Sequence, residues 1–321
     1  MTFVSALQNC PSPGAGVHVW LLSIANRAAI AKIPPARAVA LITRAMSRPP
    51  SPSSEVVSAV RKAYGERGLS VKLSPYAQPQ PVPAPQLAKL YIAKGIDMAG
   101  GLDRTYEYLR TASGLQTALE APGSAQAEIQ FRTLFYAGEL ITCECETSDK
   151  RFLRATGTLE DWLDHFQTGR GIPQLFCANP IKVDGGLVSD GPGKAHRSMR
   201  CSDAVAVFRH CVAEFDSLDP NPEISKLQQA ALWIGFGLDN VATITDSGGK
   251  SLHALLRVNV TSLEDWKTRV AKGLFHRVLV PLGADPACKD PSRLTRLAGA
   301  ERLTRRNAIQ SLLYAGRTNE S

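Results

Sequence analysis

The sequence lacks the signatures that place a chain in a membrane or among secreted proteins. No segment reaches about 18 uninterrupted apolar residues, the length that spans a bilayer. The N-terminus has neither the basic segment nor the long apolar stretch of a secretory signal. The seven cysteines are scattered, and Cys143-x-Cys145, the only close pair, has no second pair that would complete a zinc site. We therefore expect a cytoplasmic protein with reduced thiols and no membrane contact.

Acidic residues are scarce at both ends of the chain. Residues 1–70 carry eight Lys/Arg against two acids, and residues from Pro286 onward carry seven against three, within a formal net charge of +8. Basic ends of this kind suit a polyanionic partner, because the affinity for such a partner comes largely from neutralised phosphates. Charge alone also allows a basic surface that only keeps the protein soluble.

Proline marks the clearest boundary in the sequence. The prolines of residues 74–86 predict an extended, semi-rigid linker. We therefore divide the chain into a helical module at 1–70, a linker at 71–88 and a larger domain at 89–321.

The helical module is predicted from apolar periodicity and helix-start signals. Pro34-Pro35 starts a helix over 36–46, and Ser51 begins a cap for a helix over 56–64. The outer face of this last helix is basic. That face could contact nucleic acid or pack on a neighbour, and the pattern favours neither.

The larger domain mixes strand-like alternation with helical periodicity, which predicts an α/β fold of the α+β kind. Strands are predicted at 140–145, 152–155, 174–178, 204–215, 241–245 and 252–260. Helices are predicted at 86–113, 158–167, 222–236, from 261 onward and at 303–315. Thr158 and Asp161 predict a capping box for the second of these, and Thr261-Ser262 a cap for the fourth.

Two carboxylates stand at the end of the most apolar of these runs. Glu214 and Asp216 are two residues apart, so on a strand both side chains emerge on one face. Adjacent carboxylates raise each other's pKa unless a cation lies between them. Mg²⁺ usually binds one or two protein carboxylates together with substrate phosphates. The pair therefore indicates a metal site, although ordinary surface acids at a strand end would give the same pattern.

A small-residue turn at 247–251 precedes His253. Its glycines would let the backbone approach a phosphate, which Lys250 could neutralise. The turn is not a Walker A loop, because the spacing requires a glycine at position 244 and a helix afterwards. Ser251 and His253 alternate onto one face and could both donate to a triphosphate. A plain hairpin turn is the alternative.

A third acid and two arginines follow near the end of the chain. Arg293 and Arg296 suit bidentate contacts to phosphate. Asp285 and Asp290 both precede them, and either could be a metal ligand. Asp290 could instead cap the turn that follows it.

These motifs together resemble a known family. Glu214-x-Asp216, then Ser251-x-His253, then an acid ahead of Arg293-x-x-Arg296-Leu-x-Gly are similar, in order and spacing, to the three motifs of the archaeo-eukaryotic primase superfamily, in particular primase-polymerases of phages, plasmids and other mobile elements. The resemblance covers about 130–315.

Segments outside the three motifs are also similar to that group. The lead-in stretches are Gly138–Ile141, Asn179–Ile181 and Gly193-Lys194, and residues 16–66 resemble a helical module that often accompanies such primases. Ala298 departs from the proline of the group's Leu-Pro-Gly, which would loosen a turn without altering chemistry.

The resemblance implies a catalytic and metal-binding set made of three acids. Glu214 and Asp216 would be the first two ligands of the metals. Asp285 is preferred to Asp290 as the third, because it lies eight residues before Arg293, which is the spacing of the group.

The resemblance also implies how a nucleotide is held. Lys250, Ser251 and His253 would bind the triphosphate of the incoming nucleotide. Arg293 and Arg296 would hold phosphate or order the loop that carries them.

The resemblance further implies an RRM-like antiparallel sheet that bears the carboxylates. The expected function is template-directed primer synthesis and DNA extension on a single-stranded DNA template, with NTP or dNTP substrates and two Mg²⁺ or Mn²⁺ ions, for replication of a mobile element or phage. A separate helicase would be a partner. A catalytically silent replication initiator on the same fold is the alternative.

Overall fold

The structure, a computed structural model, divides the chain into two compact units. These are Met1–Val82 and Pro83–Ser321, and each is described by itself. The residues described are 3–7, 9–12, 16–46, 55–69, 84–114, 121–147, 152–169, 171–191, 194–215, 218–302 and 308–316. Most of the expected proline-rich linker, the cap at Ser51, Gly193 and the expected metal ligand Asp216 lie outside them.

The first unit is helical throughout its described residues. Its helices are α1 (Phe3–Leu7), α2 (Val17–Ile30), α3 (Pro35–Ala45) and α4 (Glu55–Gly65). Proline stands at the first turn of α3, where its missing N–H costs no hydrogen bond. The helices enclose a core that includes Leu21, Ile24, Ile42 and Val60. The helices predicted at 36–46 and 56–64 are confirmed.

The second unit contains two four-stranded sheets. The strands in chain order are β1 (Leu140–Glu146), β2 (Phe152–Thr158), β3 (Leu175–Cys177), β4 (Gly186–Gly191), β5 (Lys194–Ser198), β6 (His210–Glu214), β7 (Val241–Asp246), β8 (Leu252–Arg257), β9 (Leu294–Arg296), β10 (Glu301–Arg302), β11 (Ala308–Ile309) and β12 (Ser311–Ala315).

One sheet has the order β2-β1-β3-β9 and the other has the order β12-β7-β8-β6. Strands β4 and β5 form a separate hairpin, and β10 pairs with β11. Every strand pairing in the described part of the chain is antiparallel. The α+β class is therefore confirmed, while the RRM-like form stays a prediction.

Helices of the second unit cover the sheets and enclose a common core. They are α5 (Ala84–Ala99), α6 (Thr105–Ala112), α7 (Gly123–Leu134), α8 (Leu159–Gln167), α9 (Pro222–Phe236) and α10 (Leu263–Asp265), which continues as a π-type helix over Trp266–Leu279. The core is aromatic, with Trp233, Trp266, Phe131 and Phe176 buried. Burying each such side chain contributes about 1.5–3 kcal/mol or more. Within the described chain, no helix combines the length and apolar character needed to cross a membrane.

Helix starts predicted from sequence are seen with their hydrogen bonds. Thr158 and Asp161 form the expected capping box at the start of α8, each side chain bonding the other residue's backbone N–H. Ser262 accepts a hydrogen bond from the backbone N–H of Asp265 at the start of α10. These local signals are confirmed because each cap satisfies backbone donors that a helix leaves unpaired.

The predicted strand at 204–215 is too long. Its start forms a 3₁₀ turn, Ser202–Ala204, and β6 begins only at His210. The side-chain oxygen of Asn179 accepts hydrogen bonds from the backbone N–H groups of both Arg209 and His210. This amide binds the N–H of Arg209, so only the carbonyl oxygen of Arg209 bonds the segment after β8, where it accepts from the N–H of Val258.

The prediction of a basic helix at 303–315 is wrong. Residues 308–309 and 311–315 are strands, whereas 303–307 lie outside the described residues. Ser311–Ala315 pairs with β7 and buries Leu312, Leu313 and Ala315. The edge of β7 offers unpaired backbone groups and an apolar surface, which outweigh the local helical pattern.

Two glycines set the distance between α5 and α9. A Cβ added at Gly95 would overlap the backbone carbonyl of Ala231, and one added at Gly235 would overlap the carbonyl of Tyr91. The helices therefore touch backbone to backbone, which only glycine allows at these two positions.

Replacing Gly95 with alanine tests this contact. We expect Gly95→Ala to lower the free energy of unfolding by about 1–3 kcal/mol, because the helices must separate to admit a methyl group. Gly273→Ala is the matched control, since its Cβ would meet Thr268 at an ordinary 3.5 Å. Urea unfolding followed by circular dichroism measures both, and equal stability of the two variants would contradict the close contact.

Candidate active site

The site forms where the end of β6 meets a distant segment of the chain. Glu214, the last residue of β6, lies opposite His253 of β8 in the antiparallel register. Phe215 then forms a bridge with Ala284. The backbone N–H of Asp285 donates to the carbonyl oxygen of Glu214 at 2.8 Å. This backbone hydrogen bond places the carboxylate of Asp285 beside that of Glu214.

The carboxylate of Glu214 is surrounded by donors. Ser251 Oγ donates to Glu214 Oε1 at 3.1 Å, and His253 Nε2 lies 3.3 Å from the same oxygen. Arg293 Nη2 lies 3.6 Å from Glu214 Oε2. Burial alone would raise the pKa of Glu214, but the hydrogen bonds and charges of these three neighbours outweigh it and lower the pKa to about 2. Glu214 is therefore ionised at neutral pH.

Asp285 and Cys288 complete a compact cluster. Glu214, Asp285 and Cys288 each offer one potential ligand atom, and these atoms all lie within 4.8 Å of one another. Arg293 Nη2 lies 3.5 Å from Asp285 Oδ2, so one guanidinium serves both carboxylates. Burial raises the pKa of the Cys288 thiol to about 12, which keeps it neutral at physiological pH.

The turn that carries Ser251 is held in place by Asp246 at the end of β7. Asp246 Oδ2 accepts hydrogen bonds from Lys226 Nζ at 3.1 Å and from the Tyr106 hydroxyl at 2.9 Å. Asp246 Oδ1 accepts from the backbone N–H of Gly248, whose φ of +65° favours glycine. The turn is therefore fixed before any ligand arrives.

Helix α9 fixes the same turn from the other side. Gln229 accepts a hydrogen bond from the backbone N–H of Leu252 at 2.8 Å and donates to the carbonyl of Lys250 at 3.2 Å. His253 is positioned in turn by Thr295 of β9, whose Oγ1 lies 3.4 Å from His253 Nδ1. Because β9 belongs to the other sheet, the site is built where the two sheets meet.

The structure brings together five of the residues singled out from the sequence. They are Glu214, Ser251, His253, Asp285 and Arg293. Lys250 is exposed on the turn. Arg296 is half-buried on β9, paired in register with Leu175. The functional roles assigned to these residues remain predictions.

Asp285 and Asp290 have different surroundings. Asp290 Oδ1 accepts hydrogen bonds from the Ser202 hydroxyl and from both the backbone and the hydroxyl of Ser292. It therefore caps its own turn, while the carboxylate of Asp285 lies beside Glu214.

Sequence reasoning missed three residues that shape the site, namely Asp246, Gln229 and Cys288. Asp246 had a detectable signal, because an acid directly before a Ser-Gly-Gly turn commonly bonds the turn's backbone. The roles of Gln229 and Cys288 depend on contacts between distant segments, which no local pattern reveals.

The potential ligand atoms at the site are two carboxylate oxygens and one thiol sulfur. Carboxylate oxygens suit a hard cation such as Mg²⁺ or Mn²⁺, which usually takes one or two protein carboxylates. The thiol of Cys288 is a softer ligand. Arg293 bridges the two carboxylates and supplies the positive charge that the pair requires. Glu214 and Asp285 therefore fit the implied ions.

No family model and no curated protein matches this sequence. Among solved structures, the chain is similar to one described as "Crystal structure of primase RepB'", with 12% sequence identity and a TM-score of 0.33. The match covers 62% of this chain and 57% of that chain, so this chain spans little more than half the length of that structure. The identification of the candidate site therefore depends on the contacts described above and not on this similarity.

The low pKa of Glu214 predicts a defined dependence of stability on pH. A carboxylate whose pKa falls from 4.5 to about 2 on folding stabilises the fold above pH 4.5 and loses that effect as the pH drops towards 2. In metal-free buffer, we expect the stability difference between wild type and Glu214→Gln to shrink by about 2 kcal/mol from pH 6 to pH 3.

Urea unfolding of both proteins across this pH range measures the difference. Glu264→Gln, at an exposed helix start, is the reference for removing a carboxylate in solvent. A difference between wild type and Glu214→Gln that stays constant with pH would show that Glu214 is not held by its three donors.

Proposed function

We propose that this chain is a template-directed nucleotidyltransferase that synthesises and extends primers on single-stranded DNA. The observation that carries the proposal is the meeting of Glu214 and Asp285, from distant parts of the chain, with Ser251, His253 and Arg293 around them. Carboxylates beside phosphate-binding donors are what phosphoryl transfer requires.

Glu214 and Asp285 are proposed to hold two Mg²⁺ or Mn²⁺ ions, together with Asp216. Both described carboxylates lie together at the edge of the second sheet, and Glu214 is ionised at neutral pH. When bound, the ions would supply a deprotonated 3′-hydroxyl and stabilisation of the charge that develops on phosphorus oxygens.

Ser251 and His253 are proposed to bind the triphosphate of an incoming NTP or dNTP, assisted by Lys250. Their side chains approach the Oε1 atom of Glu214. They therefore face the space in which a phosphate beside the carboxylates would lie. Arg293 is proposed to turn from the carboxylates to the phosphate once other cations neutralise the acids, and Arg296 to hold phosphate or order the loop.

The protein's own contribution is mainly orientation. The turn at 247–251 is clamped by Asp246 and Gln229 before a ligand binds, so little freedom is lost when the phosphate is held. His253 is steadied by Thr295, which fixes the direction of its Nε2. The partly buried site also strengthens each electrostatic contact, because the local dielectric is below that of water.

The wider assignment is supported by the composition of the sequence and by the resemblance of its motifs. We propose residues 1–70 as an accessory module, 71–88 as a linker and 89–321 as the catalytic domain of a cytoplasmic primase-polymerase from a mobile element or phage. The partners would be single-stranded DNA and a separate replicative helicase. The net charge of +8 supports a nucleic-acid partner.

Primer synthesis on single-stranded DNA with Mg²⁺ or Mn²⁺ tests the proposal, using Asp285→Asn and Asp290→Asn as a matched pair. We expect Asp285→Asn to lose more than about 100-fold in rate, since even groups outside the ligand shell are worth about 10–100-fold. Asp290→Asn should retain most activity, because Asp290 bonds only its own turn and Ser202 among its described contacts.

Two results would contradict this function. The first is a wild-type protein that joins no nucleotides under any of the metal and nucleotide conditions. If that protein still binds DNA, the result would favour a silent replication initiator. Equal activity of wild type and Asp285→Asn would remove Asp285 from the catalytic set. Circular dichroism of each variant establishes that the fold is intact.

A further inference from the structure

A polar cavity lies beside the candidate active site and has Arg293 in its wall. Its volume is about 450 Å³, and its walls include the three guanidinium groups of Arg154, Arg200 and Arg293. Ser198 and Ser292 add hydroxyl groups to the lining. Three arginines around one cavity favour a ligand with several anionic oxygens, because a guanidinium presents paired donors to such oxygens.

A buried carboxylate organises two of these arginines. Glu144 of β1 is 2% exposed and lies directly opposite Arg154 of β2 in the strand register. Arg154 donates to Glu144 Oε1 from Nε at 2.9 Å and from Nη2 at 2.7 Å. Arg200 Nη1 lies 3.6 Å from the other oxygen, Oε2. The buried carboxylate of Glu144 thus pairs with both arginines.

The residues that line the cavity are mainly basic, with three arginines and one acid, Asp290. Glu144, behind the wall, is shared by Arg154 and Arg200. The side chains of Arg154 and Arg200 are 39% and 44% exposed, so their remaining donors reach solvent. Asp290 is the acid in the cavity wall, and its Oδ1 is engaged by hydrogen bonds from Ser202 and Ser292.

Arg293 belongs both to this cavity and to the candidate active site. It lines the cavity and also lies within 3.6 Å of both Glu214 and Asp285. A ligand bound to Arg293 in the cavity would therefore lie near the two carboxylates.

We propose that the cavity lined by Arg154 and Arg200 binds phosphate groups in addition to those held by Ser251 and His253, with Arg293 shared between the two sites. The ligand chemistry is phosphate oxygen, carried either by a nucleotide or by the backbone of a DNA strand. A role in primer synthesis rests on the function proposed above, because starting a primer requires two nucleotides and a template to be held at once. Binding of phosphate to the cavity does not depend on catalysis.

The test measures binding of two probes to the full chain in EDTA, so that divalent ions contribute nothing. ATP represents nucleotide phosphates, and a fluorescent oligothymidylate without a 5′-phosphate represents strand phosphates. Arg200→Gln is the test variant, because Arg154 keeps both of its hydrogen bonds to Glu144. Arg197→Gln is the matched control, since Arg197 lies three residues before Arg200, on β5, and donates instead to the carbonyl of Asp184.

We expect Arg200→Gln to bind at least one probe about tenfold more weakly, as for loss of one charge-assisted hydrogen bond, while Arg197→Gln binds as wild type does. The affected probe identifies the source of the phosphate. Equal weakening by the two variants, no weakening by Arg200→Gln, or no binding of either probe to wild type would overturn the proposal.

A second variant leaves the buried pair untouched. Ala287→Glu adds a carboxylate to the exposed cavity wall without removing a partner of Glu144. We expect it to weaken the same probe as Arg200→Gln does, and unchanged binding would overturn the proposal even if Arg200→Gln failed to fold. A chain that binds the probe but joins no nucleotides would support the cavity while contradicting the nucleotidyltransferase function.

Discussion

The backbone hydrogen bond from Asp285 to Glu214 is the constraint on which the candidate site depends. It brings two carboxylates together at the edge of a sheet, where their repulsion must be offset. The positive charge of Arg293 and the donors Ser251 and His253 supply that offset. The site therefore holds the two carboxylates close together, with Glu214 ionised at neutral pH.

The surrounding structure keeps this arrangement rigid. Gln229 of α9 and Asp246 of β7 fix the turn before β8, and Thr295 of β9 steadies His253. Each support comes from a different element, so the geometry is a property of the whole second unit. The close contact of α5 and α9 at Gly95 contributes indirectly, because α9 carries the glutamine that holds the turn.

Local sequence signals predicted much of the fold but only part of the site. The capping box at Thr158 and the proline at the start of α3 specify helices through nearby atoms, and both were predicted. The strand Ser311–Ala315 was not, because pairing with β7 decides its conformation. The order of the acidic and basic residues predicted which side chains meet, whereas the shared role of Arg293 and the presence of Cys288 depend on contacts that form only in the folded chain.

The most direct test of this account is anomalous diffraction from crystals of the protein containing Mn²⁺. The account predicts an anomalous peak within coordination distance, about 2.0–2.6 Å, of carboxylate oxygens of both Glu214 and Asp285, with Arg293 turned away from them. Crystals with no peak at these carboxylates, and with Arg293 still bridging them at high Mn²⁺ concentration, would contradict it. In that case the arginine would be the permanent counter-ion of the two acids and the site would not hold metal.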